Sequence, residues 1–172
     1  MMNDSTGKNI IRFVVLVLVQ VIILNNIQIS GYINPYFYVL FVLLLPFNTS
    51  KSVLLLSAFL MGLSIDLFTH TIGVHAAATT FMAYLRPGVI NLLTGNKEIE
   101  PDMKPSIFDM GFAWFFTYSL ILVFSHHLVL FYLEIFRFDE FLQTMLRVLI
   151  STAISLVLII ISQYLFRGSK KS

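Results

Sequence analysis

Long apolar runs alternate with short polar breaks along this chain. A helix needs about 20 mostly apolar residues to cross a hydrocarbon core. Six stretches meet or approach that length: 10–28, 32–47, 53–69, 72–93, 108–134 and 141–166. The fourth is broken at Arg86, Pro87 and Gly88. Runs such as 13–19 and 156–161 are continuous and do not alternate in and out, which selects helices over a membrane barrel. The connections are short. The longest, 94–107, reads TGNKEIEPDMKPSI and is too small for a soluble domain. The pattern therefore predicts an all-α integral membrane protein, a six-helix transmembrane bundle formed by one polytopic domain over 1–172. Pro46 and Pro87 shorten two runs, which implies tilt or shielding by neighbouring helices. The first run follows Lys8 and Arg12 as a secretory signal would. It is long and lacks a small-x-small cleavage site, so it reads as a retained helix.

Charge supplies the orientation. Taking alternate sides, one side holds Lys8, Arg12, Lys51, Arg86, Lys97, Lys104, Arg167, Lys170 and Lys171, and the other only Arg137 and Arg147. Basic residues concentrate on the cytoplasmic side, so both termini are expected there. Tyr32, Tyr36, Tyr38 and Tyr132 fall at expected outer ends, and Trp114, Tyr84 and Tyr164 toward inner ends, as interface aromatics. Composition agrees: 58% of residues are hydrophobic and 12% charged, with mean hydropathy +0.87. Soluble chains run at about 45–50% and 25%, and a fold this small cannot hide the excess from water. That excludes a soluble enzyme and a nucleic-acid binder. Cysteine is absent, which removes disulfides and thiolate chemistry. No G-x-S-x-G, H-E-x-x-H or Gly-rich phosphate loop is present, so no catalytic residue and no cofactor is expected.

Polar side chains inside spans are costly and need a reason. Asp66 lies about 20 Å along its helix from the inner surface. Arg147 is expected at similar depth with opposite charge, His126 and His127 in the outer third of span five, and His70 and His75 around the outer turn between spans three and four. Asn25, Asn26 and Gln28 end span one on the same side. Four readings compete for this outer polar layer. Asp66, buried among the helices, pairs with Arg147 or a nearby His and locks the bundle, with Arg147 snorkelling to the headgroups as the rival. Otherwise the layer lines an outward binding cavity, or meets a partner. A metal site would use Asp66 and His70 at i,i+4 with His75, His126 or His127. Ala58, Gly62 and Asp66 recur every four residues, and 76–83 is rich in Ala and Thr, so spans three and four should pack closely with Asp66 inward.

The motif content lies between Asn34 and Pro87. Asn34, Pro35 and Tyr36 lead into an apolar run ending at Pro46. Then come Gly62-Leu63-Ser64-Ile65-Asp66-Leu67-Phe68, Gly73-Val74-His75 and a helix ending Tyr84-Leu85-Arg86-Pro87. This resembles the bacterial rod shape-determining MreD family, in the version with Gly-Leu-x-x-Asp in the third span. The resemblance implies a non-catalytic inner-membrane member of the cell-wall elongation machinery. It implies an MreC-like bitopic membrane partner and, through it, an MreB-like filament and the peptidoglycan synthases. The family Gly and Asp carry over to Gly62 and Asp66, while His126 and His127 match no family motif. The MreD bundle is similar to the substrate-binding membrane subunits of energy-coupling-factor vitamin transporters, which supplies an alternative function. A scaffold should present packed helix faces, and a transporter subunit an outward cavity lined by Asp66 and His126.

Overall fold

A computed structural model describes residues 4–27, 34–95, 99, 103–135 and 141–166. Among these residues every regular element is helical. The α1 helix (Asp4–Leu18) runs on through a π turn, Val19–Ile23, and a 3-10 turn, Leu24–Asn26. A single turn, α2 (Leu40–Leu43), precedes α3 (Lys51–Thr69) and α4 (Val74–Thr94). A short α5 (Ile107–Met110) leads into α6 (Phe112–Ile135), and α7 (Phe141–Leu165) follows. Four stretches are long and apolar enough to cross a membrane: Gly7–Asn26, Lys51–Thr69, Phe112–Ile135 and Phe141–Leu165. The protein is an all-helical membrane protein.

The helices pack in chain order, α3 on α4, α4 on α6 and α6 on α7, with α1 against α2 and α3. Their outer faces stay apolar. Leu56, Phe59, Leu60 and Leu67 of α3 and Leu142, Leu146, Leu149 and Val157 of α7 are exposed, as lipid-facing side chains must be. The inner faces carry the polar groups. The buried stripe of α7 includes Thr144, Ser151, Thr152, Ser155 and Ser162, small enough to let α6 approach.

Two expectations about the elements need correction. The stretch 32–47 is not a helix in its described part. Residues 34–37 have no regular structure, and only Leu40–Leu43 is α-helical. Tyr38 through Leu43 are nonetheless buried. Irregular backbone survives at membrane depth only where protein surrounds it, and here α1, α4, α6 and α7 each supply side chains to it. The fourth stretch is not broken at Arg86–Gly88. The α4 helix continues through Pro87 to Thr94. A proline costs an intrahelical hydrogen bond, and here the neighbouring Arg86 is anchored to other elements on both sides. Of the residues singled out from sequence, Gln28, Tyr32, Lys97, Arg137, Arg167, Lys170 and Lys171 lie outside the described residues.

Candidate functional site

The Gly-Leu-x-x-Asp element builds a clasp between α3 and α4. Leu54, Ala58, Met61, Gly62, Ile65 and Asp66 form the buried face of α3. A Cβ on Gly62 would meet the His75 carbonyl, and would lie 2.5 Å from Ala76 Cα and 2.6 Å from Ala76 N. Only glycine lets the first turn of α4 come that close. One turn further, Asp66 reaches the exposed donors of that turn. Its Oδ1 accepts from the His75 backbone N–H at 3.1 Å and its Oδ2 from the Ala76 N–H at 2.9 Å. Helix N-termini leave such donors unsatisfied and carry positive partial charge. The local cap residue of α4 is Gly73 at φ +75°, which has no side chain to offer. A carboxylate from the preceding helix does the capping instead.

The same carboxylate collects two side chains. Thr71 donates its hydroxyl to Oδ1. His75 Nδ1 sits 3.0 Å from Oδ1 and 3.1 Å from the Thr71 hydroxyl. A carboxylate only accepts, so the geometry places the His75 proton on Nδ1. Asp66 is 2% exposed, and a buried carboxylate of this kind is stabilised by the four donors that converge on it.

The unwound segment 34–47 runs beside this clasp. Tyr36 packs against His75, His126, His127 and Phe131. The Tyr38 hydroxyl lies 2.8 Å from His126 Nε2. Both histidines are fully buried, and His127 Nδ1 donates to the Val123 carbonyl at 2.7 Å. Side chains replace the missing helical ladder. Gln20, from the π turn of α1, accepts from the Phe37 N–H at 2.8 Å and donates to the Pro35 carbonyl at 3.1 Å. Ser155 of α7 accepts from the Tyr36 N–H at 2.9 Å.

The other end of the segment is held by cations. Arg86 of α4 is 1% exposed. It donates through Nε to the Tyr118 hydroxyl at 2.8 Å and through Nη2 to the Leu45 carbonyl. The Tyr118 hydroxyl donates in turn to the Leu43 carbonyl at 3.0 Å, and Arg12 Nη1 donates to the Leu44 carbonyl at 3.1 Å. Consecutive carbonyls of an interrupted helix end are thereby satisfied without water.

The expected site residues separate into two groups. Asp66, His75, Gly62 and Ala58 come together in the clasp, with Tyr38 and His126 beside it. Pro35 is buried at the head of the unwound segment, next to half-buried Asn34. Of the two partners expected for Asp66, a nearby His is the one it meets, His75, and not Arg147. The acceptors of Asp66 are taken by α4 and Thr71. Arg147 instead lies 3.2 Å from Glu134 and over the Phe131 ring, 4.2 Å from its centroid, a cation–π arrangement. The expected Asp66–His70 face is also absent. His70 ends α3 in the left-handed conformation at φ +56° and is exposed. Among the described residues no three of the His, Asp and Glu side chains are placed to hold a metal ion.

Gln20, Thr71, Tyr118, Ser155 and Arg86 were not foreseen in these roles. Gln20 carried a signal, a lone amide inside an apolar run. Arg86 and the tyrosines at 36 and 38, expected at the membrane interfaces, are core residues. No family model, curated protein or solved structure matches the chain.

Proposed function

We propose that this protein is a non-catalytic scaffold of the bacterial inner membrane that supports cell-wall elongation, as MreD-like proteins do. In this reading the chain crosses the bilayer six times with both termini cytoplasmic. The second crossing is the unwound segment 34–47. An MreC-like bitopic protein docks on its helices and outer loops, and links it to an MreB-like filament and the peptidoglycan synthases.

One observation carries the preference for a scaffold over a transporter subunit. The side chains that would line an outward cavity are consumed by the fold itself. Asp66 and His75 are 2% and 6% exposed, and His126, Tyr38 and Thr79 are fully buried against one another. Gly62 and Asp66, onto which the family Gly and Asp carry over, join α3 to α4. A motif used for helix joining suits a protein whose product is a shaped surface.

Depletion in a rod-shaped host tests the reading. Cells should round or swell, and an MreC-like protein should co-purify from native membranes. If depletion leaves shape and wall insertion intact but stops uptake of one small molecule, the energy-coupling-factor reading replaces this one.

A further inference from the structure

A groove of about 310 Å³ opens between the start of α3 and the second half of α4. It is lined by Lys51, Leu54 and Leu55 of α3 and by Tyr84, Pro87 and Asn91 of α4. Its floor includes Gly88, where a Cβ would meet nothing within 4 Å. Proline and glycine side by side remove the bulk that an ordinary pair of helical residues would place there. The hollow is therefore a property of the sequence at 87–88.

The groove is graded along the helix axes. Lys51 and Asn91 are exposed and stand at the end of the bundle. Leu54 and Leu55 lie further from that end, and exposed Tyr84 flanks the groove about 10 Å along α4 from Asn91. One end is cationic and polar, and the other apolar. Lys51 is the only charged residue of the lining, and among the described residues it makes no ion pair. Among the described residues no acid neutralises it.

We infer that this groove binds an acidic phospholipid, with the headgroup phosphate at Lys51 and the first acyl carbons along Leu54, Leu55, Tyr84 and Pro87. Charge complementarity selects the headgroup. An unpaired ammonium at the mouth favours an anion, and the anionic leaflet supplies one at high local concentration. The graded lining selects a lipid over a free anion, because the apolar depth has no use for a hydrated phosphate. The Lys and Arg distribution puts this end of α3 on the cytoplasmic side, where acidic headgroups face basic pockets between helices. The inference needs the membrane setting and the orientation of α3, and is independent of the role in cell-wall growth.

Native mass spectrometry of the full chain tests it. The protein is released from micelles holding equal phosphatidylglycerol and phosphatidylcholine of the same acyl chains. Wild type should retain phosphatidylglycerol in preference. Lys51→Gln should cut that preference about fivefold, the loss expected for one near-surface lysine. Gly88→Leu fills the groove from a position with open space and a better helix former, and should abolish retention of both lipids. Lys104→Gln, an exposed charge outside the groove, should change nothing. Size exclusion reports the fold of each variant, and Gly88→Leu keeps the test decisive if Lys51→Gln does not fold. Equal retention of the two lipids by wild type overturns the inference. So does a wild-type preference in folded Lys51→Gln, or undiminished retention in Gly88→Leu. Displacement of the lipid by inorganic phosphate alone, with no effect of Gly88→Leu, makes it a site for free anions and overturns it as well.

Discussion

Asp66 caps the start of α4 from the neighbouring helix. It holds two backbone donors and two side chains of the turn that starts α4. Each buried donor left without an acceptor costs about 1–3 kcal/mol. Asp66→Ala should therefore lower stability by about 3 kcal/mol or more, and Asp66→Asn, which keeps one acceptor, by less. Thermal unfolding in detergent and the yield of monodisperse protein measure both. Equal tolerance of the two substitutions would sink the clasp. Gly62 and Gly88 give a matched pair. At Gly62 a methyl meets the backbone of α4 and forces the helices apart, so Gly62→Ala should cost about 3 kcal/mol. At Gly88 the same methyl enters open space, and Gly88→Ala should be neutral or stabilise by up to about 1 kcal/mol through helix propensity. Unfolding temperatures that move together at the two sites would contradict this account.

At the scale of elements, the segment 34–47 departs most from its expected form. Its hydropathy is that of a span, but Pro35 and Pro46 interrupt the run and the interior offers other partners for its backbone. Gln20, Ser155, Tyr118, Arg12 and Arg86 take the places of intrahelical donors and acceptors. Gln20→Leu leaves the Phe37 N–H and the Pro35 carbonyl buried without those partners, at about 1–3 kcal/mol each. Amide hydrogen exchange should then rise at Phe37 and Tyr38 while α7 keeps its protection. Ser155→Ala should raise exchange at Tyr36 alone. Protection at 36–38 unchanged in Gln20→Leu would mean that the segment holds its shape by packing and not by these bonds. Arg86 belongs to the same set. Its position at an expected span end invited a reading as a flanking charge, while its planar donors bridge the Tyr118 hydroxyl and the Leu45 carbonyl, which a lysine could not do with the same geometry.

For the whole molecule, the proposed orientation has a direct test, since the chain has no cysteine of its own. Asn48 and Ile72 are exposed residues beyond opposite ends of α3. In intact spheroplasts an impermeant thiol reagent should label Ile72→Cys and spare Asn48→Cys and Gly95→Cys. Labelling of Asn48→Cys with protection of Ile72→Cys would invert the molecule, and with it the leaflet assigned to the groove at Lys51. Lipid as solvent explains why so much of this scale was legible beforehand. A helix in hydrocarbon must satisfy its own backbone, so long apolar runs such as 53–69 and 141–166 announce helices locally. The same reasoning failed at 32–47, because other parts of the chain satisfy that backbone.

The sequence by itself determined the solvent, the helical class and the close approach of α3 to α4, since hydropathy, run length and the Ala58–Gly62–Asp66 spacing are local properties. Tertiary structure decided which polar groups meet. Arg147 went to Glu134 and Asp66 to the start of α4 because distance and direction across the bundle set those partners, and matched depth along two helices does not. It also decided that residues 34–47 form only the single turn α2 and no spanning helix. A backbone may leave the helix inside a membrane only where side chains from distant positions, here Gln20, Arg86, Tyr118 and Ser155, arrive to replace its hydrogen bonds.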